Sequence, residues 1–413
     1  MSSYSVLASS TVLVNLVAGL AVATVRPELT EAQDLALTAT TVNLLLAVVF
    51  RQQYVVNGLF WLATRAPLSW PLPVRARLAE VYHFGGIHAG AAVAATVWFA
   101  VFTSLLLGEA IVGGGHQGSL AQIVTGLILL DLFVICLCAR PGVRDRRHDL
   151  FEASHRYGGW LALVLFAVLT VIQTQDSGRS TTEMLTQSPN VWLLTVAILS
   201  VSIPWLQLRR VRVRSTSPSD HASIADFTGV ARPGSFTRLS RSPLGQSHAF
   251  ATIPTPAASG FRVVISRAGD WTAATTADAP TTLWVRGVPT AGVATVAVLF
   301  RRVLWVATGS GIAPCLPHLL NGVVPARLVW VTRNPERTYG RELLDEIRTA
   351  QPDAVIWDTD TLGKPDLATL AQVEQQRSGA EAVIVISNRA TTQRTLATLR
   401  ADGVTAFGPI WES

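Results

Sequence analysis

The sequence predicts a chain of two unlike halves. An α-helical transmembrane bundle of six spans is followed by an antiparallel β-barrel and then a parallel α/β nucleotide-binding domain. The first observation is composition: 49% of the 413 residues are hydrophobic and only 15% are charged, which is too apolar for a soluble protein of this size. The others are a polar, turn-rich region after Arg214 and a glycine-rich turn after the apolar strand at Val303. The predicted domains are 1–210, 211–300 and 301–413.

Six apolar stretches are long enough to cross a bilayer, which takes about 20 helical residues. They are Ser5–Val25, Leu35–Phe50, His83–Leu107, Leu120–Ala139, Phe151–Thr174 and Asn190–Leu208. The first has no basic residue ahead of its apolar run and five similar stretches follow it, so it is predicted to be a true span and not a signal peptide. An amphipathic segment, Val55–Ala63, is expected to lie in the headgroup region.

The charges of the connecting loops predict the orientation. Arginines cluster in alternate loops, at 65–77, 140–147 and 209–214, whereas the opposite loops are mainly acidic. By the positive-inside rule, both termini and the second half face the cytoplasm, in a multi-pass protein of the cell membrane. Because the arginines form no single basic stripe, the net charge of +6 does not indicate nucleic-acid binding.

The second half shows two patterns. From Asp226 to Val298, short alternating stretches separated by Gly, Pro and Ser predict a small antiparallel barrel. From Val303 onward, strands alternate with helices, which predicts a parallel sheet with its ligand at the carboxyl ends of the strands. The predicted strands are Val303–Ala307, Arg327–Thr332, Ala354–Trp357 and Ala382–Ile386, and the predicted helices are Arg341–Thr349 and Asp366–Arg377.

A glycine-rich turn joins the first of these strands to a short helix. It contains Thr308, Gly309, Ser310 and Gly311, and Pro314 precedes the helix. Glycines in such a turn let the backbone approach a pyrophosphate, which free N–H groups at the helix start then bind. An ordinary strand-to-helix turn has the same pattern. The place of this turn, after a buried strand and downstream of a membrane bundle, favours a nicotinamide nucleotide.

This layout resembles the ferric reductase and NADPH oxidase superfamily over nearly the whole chain. The motifs that carry the resemblance are His248-Ala249-Phe250-Ala251-Thr252, Gly269-Asp270-Trp271-Thr272 and the turn from Thr308 to Pro314. The segments His83–His88 and Phe151–Arg156 look most similar to the TmpA-type membrane flavoproteins of fungi. The resemblance implies a ferredoxin-reductase-like flavoprotein that binds FAD and NAD(P)H.

The resemblance also implies flavin contacts from His248, Phe250 and Thr252. Phe250 would supply a flat apolar surface and Thr252 a hydroxyl, although Phe250 suits the core of a barrel equally well. Thr272 is expected to contact the flavin phosphates or ribityl chain, and Trp411 to cover the flavin.

Arg333 follows the second strand of the α/β domain, where a 2′-phosphate would lie in an NADPH complex. A guanidinium suits a phosphate, and a solvated loop arginine is the alternative. The chain departs from the superfamily at two places, with Ala251 at the usual Thr and Ser387-Asn388-Arg389 at the usual Cys-containing turn.

Four histidines lie at the predicted cytoplasmic ends of two spans, His83 and His88 on the third and His148 and His155 on the fifth. The resemblance implies a haem b between His88 and His155, with small residues such as Gly86 and Gly158 admitting the macrocycle. The alternative for His83 and His148 is anchoring at the interface.

A non-haem metal site would use the same histidines. His148, Glu152 and His155 are spaced i, i+4 and i+7, on one helical face, and would join His83 and His88 to offer four imidazoles and a carboxylate.

Together these features predict a membrane-bound NAD(P)H-dependent FAD oxidoreductase. Electrons would pass from nicotinamide through FAD to a haem or metal near the cytoplasmic membrane face, and then to an acceptor that no motif identifies. One alternative is a haem-less membrane flavoprotein that reduces a small or lipid-soluble substrate directly. Another is a non-catalytic membrane redox regulator that keeps the reductase fold.

Overall fold

The computed structural model describes residues 2–25, 27–112, 118–176, 178, 180–229, 234–255 and 260–410. In this part of the chain, a series of helices precedes the first strand. They are α1 Ser3–Val25, α2 Leu29–Val49, α3 Gln53–Ala63, α4 Leu72–Leu78, α5 Gly85–Val112, α6 Ser119–Cys138, α7 Pro141–Arg146, α8 His148–Asp176, α9 Thr181–Gln187 and α10 Pro189–Leu206. A 3₁₀ helix, Ala79–Phe84, joins α4 to α5.

Six segments within the described residues are long and apolar enough to cross a membrane, as the sequence predicts. Five of them are single helices, namely α1, α2, α6, α8 and α10, and the other is the continuous helical segment Leu72–Ile111. The predicted start of the second span, Leu35, is six residues late because the first turns of α2 are polar. Gln33 in these turns is buried and donates to the Glu109 carboxylate at 2.9 Å, which a pattern of apolar residues does not reveal.

The chain separates into two compact units. One contains the described residues up to Gln52 and the segment His83–Ile203, and the other contains Gln53–Tyr82 and the described residues from Pro204 onward. The first unit therefore holds nearly all of the long apolar helices.

Glycines on α5 allow close packing against α1. A Cβ atom on Gly86 would lie 2.3 Å from the Tyr4 carbonyl oxygen, and one on Gly90 would lie 2.5 Å from the Ala8 carbonyl oxygen. Only glycine fits at such distances, so this G-x-x-x-G pattern brings the two backbones together, as in membrane helix pairs. Gly86 is thus used in helix packing, and Gly158 similarly lies against Ile135 and Asp131 of α6.

The second unit begins with short strands. They are β1 Arg209–Arg212, β2 Arg214–Thr216, β3 Ala222–Phe227, β4 Ser235–Ser240, β5 Ser247–Ala251, β6 Ile253–Pro254, β7 Phe261–Ser266, β8 Thr282–Val285 and β9 Thr290–Ala291, and helix α11, Asp270–Asp278, lies between β7 and β8. One antiparallel sheet has the order β1-β8-β4-β5 with β9 also on β4, and another has the order β2-β3-β7-β6.

The predicted closed barrel is therefore wrong for the described residues. Closure requires every strand to pair on both sides. Four strands are instead edge strands, β1 and β5 in one sheet and β2 and β6 in the other. β6 is only two residues long and ends at Pro254, which has no N–H to donate to a further strand. The two sheets enclose a core around Leu239 and Val263.

The α/β part follows a 3₁₀ helix, Val293–Leu299, and confirms the predicted alternation. Its elements are β10 Val303–Thr308, α12 Leu316–Asn321, β11 Ala326–Thr332, α13 Pro335–Tyr339, α14 Arg341–Ala350, β12 Val355–Asp358, α15 Thr359–Leu362, α16 Leu367–Ser378, β13 Ala382–Ile386, α17 Arg389–Ala401 and β14 Ala406–Phe407. All strands are parallel, in the order β12-β11-β10-β13-β14. The order reverses beside β10, so a ligand crevice is expected at its carboxyl end.

The segment Gln53–Tyr82 is tied to the rest of the second unit by polar side chains. The Asn57 amide donates to the Pro289 carbonyl and accepts from the Ala291 N–H, both at 2.9 Å. Arg75 is buried, donates to the Leu299 carbonyl at 2.6 Å and forms an ion pair with Glu381 at 2.8 Å. The amphipathic helix α3 thus belongs to this unit, and Val56 and Phe60 on its apolar face are buried.

Candidate functional site

A cavity of about 1120 Å³ lies in the second unit, at the carboxyl ends of the parallel strands. Thr308 at the end of β10 and Thr332 at the end of β11 line it, as does Asn388 just beyond β13. Because parallel strands end at one edge of their sheet, loops distant in sequence meet here. The predicted turn residues Thr308, Gly309 and Ser310 all line the cavity.

The turn at Gly309 depends on its glycines. Gly309 has a φ of +50°, a left-handed conformation that favours glycine, and its carbonyl accepts the Trp330 indole N–H at 3.0 Å. Gly311 is needed for a different reason, because a Cβ there would lie 2.1 Å from the Ile386 carbonyl oxygen at the end of β13. Gly311 therefore allows the turn to lie directly against the neighbouring strand, while Pro314 follows just before α12.

The helix nearest to the turn is too short for the predicted role. α12 has only six residues and begins at Leu316, so it does not supply the expected row of free N–H groups. The first turns of α17 line the cavity instead, through Thr391, Arg394 and Thr395. The Asn388 side chain caps this helix by accepting the Thr391 N–H at 3.0 Å. A 13-residue helix thus starts at the cavity, which sequence reasoning missed because it is mostly polar.

Three arginine or lysine side chains and one carboxylate line the cavity. Arg333 lines it, but its side chain is 80% exposed and its Nε lies 3.1 Å from the Asp360 carboxylate. Lys364 and Arg394 also line it. At the start of α16, the Asp366 carboxylate accepts the Thr369 N–H at 3.3 Å and the Ala368 N–H at 3.0 Å, and these hydrogen bonds, with that from Thr369 the largest cause, hold the pKa of Asp366 below its ordinary value.

The residues of the predicted flavin stretch lie on β5 and the adjoining loop. The register pairs His248 with Leu239 and Phe250 with Thr237 across β4, so both rings lie on the core face of the sheet. The Trp271 ring covers them, with ring centroids 4.7 Å from His248 and 5.8 Å from Phe250. In this structure Phe250 packs against the core of the sheets.

The two predicted threonines form hydrogen bonds within the protein. Thr252 is buried, and its hydroxyl lies 2.7 Å from that of Ser235 and donates to the Ser235 carbonyl at 3.1 Å. The Thr272 hydroxyl accepts the N–H groups of Ala268 at 2.9 Å and Gly269 at 3.0 Å, which caps α11. Trp411 lies outside the described residues.

The opposite face of this sheet carries an arginine pair that sequence reasoning missed, with Arg238 on β4 and Arg286 just after β8. Arg238 pairs with Ala249, so it points away from His248 and Phe250. Arg286 donates its backbone N–H to the Arg238 carbonyl at 3.2 Å, which places the two arginines side by side on this face. The Arg286 guanidinium donates to the Ser247 hydroxyl and lies over the Trp205 ring at 4.6 Å.

Arg238 has a charge that the described residues do not balance. Its Nε atom is buried without a hydrogen-bond partner in the described part of the chain, and no described carboxylate lies within ion-pair distance of it. Burial lowers the pKa of this guanidinium. The Arg238 side chain is half-buried and its charge is unpaired there, which is costly, so the site is suited to an anionic ligand. The sequence alone did not reveal this site, because the register that pairs β4 with β5 decides which face Arg238 occupies.

In the first unit, His88 and His155 come together. Their ring centroids are 5.7 Å apart with the rings nearly perpendicular. The His88 Nδ1 lies 2.7 Å from the Ala47 carbonyl oxygen and must donate to it, because a carbonyl only accepts, and this leaves the Nε2 lone pair for a ligand. His83 is buried, whereas His148 is exposed.

The other predicted metal ligands do not join this pair. In the described part of the chain, no three His, Cys, Asp or Glu side chains are close enough together to hold a metal ion. Glu152 instead pairs with Arg156, one turn further along α8. Among the described residues, the five side chains predicted for a metal site therefore do not come together as one set of ligands.

The chain matches one protein-family model over its last part and two curated proteins over most of its length. Residues 293–413 match the family model described as adenylate-forming reductase 03009, C-terminal domain. Adenylate-forming reductases 03009 and 06235 of Coprinopsis cinerea are each 41% identical to this chain over 375 and 376 residues. The alignments cover 90% of this chain but 36% of each relative, so the chain spans about a third of the length of these curated relatives.

Solved ferredoxin-NADP+ reductases resemble part of the chain. That of Plasmodium falciparum has a TM-score of 0.38 and 9% identity, covering 49% of this chain and 95% of its own. That of Neisseria gonorrhoeae, solved with bound FAD and NADP, has a TM-score of 0.36 and 14% identity, covering 49% and 97%. Membership of the ferric reductase and NADPH oxidase superfamily stays a prediction. The chain is similar in sequence to fungal adenylate-forming reductases along most of its length.

Proposed function

We propose that this chain is a membrane-bound, NAD(P)H-dependent flavoprotein oxidoreductase. The observation that carries the proposal is the cavity at the carboxyl ends of β10, β11 and β13, lined by the Thr308-Gly309-Ser310 turn. Its volume of about 1120 Å³ suits a large ligand such as a dinucleotide. The sequence relatives that are named reductases support the same class of reaction.

The residues of the cavity would bind and orient the nucleotide. The backbone at Gly309 approaches the ligand without a side chain, and the start of α17 offers N–H groups to a pyrophosphate. The Tyr339 ring packs on Trp330 at 5.3 Å, and burial raises the pKa of Tyr339, so it stays neutral beside the turn. These groups position the nucleotide and move no proton themselves.

The arginine pair formed by Arg238 on β4 and Arg286 after β8 would hold the flavin nucleotide. Arg238 and Arg286 offer two guanidinium groups, and Ser247 adds a hydroxyl on the same face. Phosphate groups of FAD would balance the unpaired charge of the half-buried Arg238. FAD, when bound, supplies the chemistry of accepting a hydride and releasing single electrons. The resemblance implied that Phe250, Thr252 and Thr272 contact the flavin. In this proposal the flavin nucleotide instead binds on the opposite face of the sheet, where Arg238 lies.

The location and the acceptor belong to the same proposal. Six apolar segments of sufficient length support a multi-pass membrane protein, with the second unit on the cytoplasmic side by the arginine-rich loops. The electron acceptor would be a group held in the first unit or a small or lipid-soluble substrate.

The flavin site is tested by replacing its unpaired, half-buried cation, Arg238. Arg238→Leu is expected to weaken FAD binding at least about tenfold, because a charge-assisted hydrogen bond to phosphate contributes about 1.5–3 kcal/mol. The measurement is FAD retention by the detergent-solubilised protein, read from flavin absorption. Arg241→Leu is the matched control, since Arg241 lies three residues away and pairs with Asp278 at the surface.

Two results would count against the proposal. Equal FAD retention in both variants would show that flavin binds elsewhere. A folded wild-type protein that takes up no FAD and binds no nicotinamide nucleotide would rule out the proposed oxidoreductase activity and favour a non-catalytic redox regulator.

The geometry of His88 favours a second component, a haem b as the immediate acceptor. The Ala47 carbonyl fixes the His88 ring with Nε2 available, and the His155 Nδ1 is buried without a partner among the described residues. Two imidazoles are the donor set of a bis-histidine haem. His88→Ala and His155→Ala are each expected to remove a Soret band that exposed His148→Ala retains. Wild-type protein with FAD but no Soret band would leave the haem-less flavoprotein.

A further inference from the structure

Helix α3 has apolar residues on two faces. The face that includes Phe60 is buried, so it is not the part of this helix that can enter a headgroup region. The outer face is formed by Tyr54, Trp61 and Leu62, with Arg65 just after the helix, all exposed and at helical spacing. Trp61 and Leu62 are 59% and 67% exposed, and the Arg65 guanidinium lies over the Trp61 ring at 4.7 Å. An exposed apolar patch rimmed by charge marks a binding surface.

Three candidate membrane spans lie next to this outer face. In sequence, α3 lies between two of them, α2 and the segment Leu72–Ile111. In space, the Gln207 amide donates to the Tyr54 hydroxyl at 2.6 Å, and Gln207 directly follows α10, which is the third. Tyrosine and tryptophan are enriched where a membrane meets water, and an arginine near an anionic leaflet is attracted to lipid phosphates. The outer face therefore fits the surface of a bilayer that contains anionic lipid.

The inner side of α3 binds the segment that follows Arg286. Gln53 is buried, and its side-chain oxygen accepts the Val288 N–H at 3.0 Å. A Cβ on the neighbouring Gly287 would lie 1.8 Å from the same oxygen, so only glycine lets Gln53 approach this closely. Asn57, one turn further along α3, forms two more hydrogen bonds with the same segment. Because Arg286 directly precedes Gly287, these two side chains of α3 hold Arg286 in position.

We propose that the outer face of α3 binds an anionic bilayer surface, and that this contact positions Arg286 for the phosphate groups of FAD. The proposal rests on the proposed membrane location and flavin site, and it adds a dependence of flavin binding on anionic lipid. Trp61 and Leu62 would enter the headgroup region, and Arg65 would contact a lipid phosphate. A surface that binds the ordered helix favours the state in which the segment after β8 is ordered too.

The first measurement is the depth of spin labels on the full chain in nanodiscs that contain phosphatidylserine, by power saturation with oxygen and a nickel chelate. Labels at Trp61→Cys and Leu62→Cys are expected about 5–10 Å into the boundary of headgroups and acyl chains. Val373→Cys, at an exposed apolar residue of α16, is the matched control and should contact water. Unmutated protein, whose three cysteines are buried or half-buried, gives the background.

The second measurement is FAD affinity in nanodiscs of phosphatidylcholine with and without phosphatidylserine, from flavin absorption during titration. Wild-type protein is expected to bind FAD about fivefold more tightly with the anionic lipid, the effect of one arginine near an anionic surface. Arg65→Gln should remove this difference, and exposed Arg348→Gln on α14 should keep it. Gln53→Met, which keeps the size of the side chain but not its acceptor, should remove the difference without changing the label depths at Trp61→Cys.

Either of two results would overturn the proposal. Labels at positions 61 and 62 that contact only water would show that the outer face binds no lipid, and a second protein would then be its partner. Equal FAD affinity in the two kinds of nanodisc would show that the membrane contact does not reach Arg286. Failure of the proposed function is distinguishable from both. A label at Leu130→Cys, an exposed position of α6, would contact water if the chain did not span the membrane, and wild-type protein without a flavin site would bind no FAD in either nanodisc.

Discussion

Gly311→Ala is expected to lower the rate of flavin reduction by NAD(P)H on the order of 100-fold, because misplacing a positioning element by about 1 Å has effects of this size. The added Cβ would lie 2.1 Å from the Ile386 carbonyl oxygen and 2.9 Å from its carbon. The contact is with backbone at the end of β13, which cannot rotate away as a side chain can. The turn after β10 must therefore separate from the loop that carries Asn388, and these are two walls of the cavity.

Stopped-flow flavin absorption on the detergent-solubilised protein measures this rate. Gly58→Ala is the matched control, because a Cβ at Gly58 in α3 meets no atom within 4 Å. FAD content should stay equal in the two variants, since Arg238 and Arg286 belong to a different sheet from the turn at Gly311. Reduction at the wild-type rate in Gly311→Ala would show that the nucleotide does not use this turn.

Arg75→Ala is expected to destabilise the second unit by about 3–5 kcal/mol, the usual cost of removing one partner of a buried ion pair. The Arg75 side chain is only 3% exposed, and it donates to Glu381, to the Leu299 carbonyl and to the Trp70 carbonyl. Its loss leaves several acceptors without a donor. For a unit of this size, the midpoint of thermal unfolding should fall by about 10 °C.

Arg77→Ala provides the control for charge removal. Arg77 is 71% exposed and pairs with Glu80 three residues away, so its loss should cost at most about 1 kcal/mol. Equal unfolding midpoints in Arg75→Ala and Arg77→Ala would contradict the structural role of Arg75.

The same ion pair predicts a dependence on pH. The Arg75 guanidinium is the largest cause that holds the pKa of Glu381 below its ordinary value of 4.5. A lowered folded-state pKa contributes stability that is fully present above pH 4.5 and is lost as the pH falls through the folded-state pKa. Acidification below pH 4.5 should therefore lower the wild-type midpoint more steeply than that of Arg75→Ala.

The sequence by itself determined the elements that depend on local composition. The apolar stretches correspond to long helices because a helix satisfies its own backbone hydrogen bonds, and their length and composition can be counted along the chain. The strands β10, β11, β12 and β13 were also placed within two residues, since buried parallel strands are continuous apolar runs. The turn at Gly309 followed from its glycines.

The tertiary structure decided everything that depends on which strands pair and which side chains face each other. Composition indicated short strands after β1 but not their partners, so two open sheets were predicted as a closed barrel. The register between β4 and β5 placed Phe250 on the core face and the charge of Arg238 on the other. A shift of one residue would exchange these faces, and only long-range pairing fixes it.

Long-range contacts also decided the roles of single residues. Gly86 packs against α1, Arg75 reaches Glu381 across 306 positions of sequence, and Lys364 joins Arg394 at one cavity. The sequence supplied each side chain and its chemistry, because charge, size and donor capacity are local properties. The folded chain alone determines which of these groups meet, because the energy of a buried contact comes from segments that are distant in sequence.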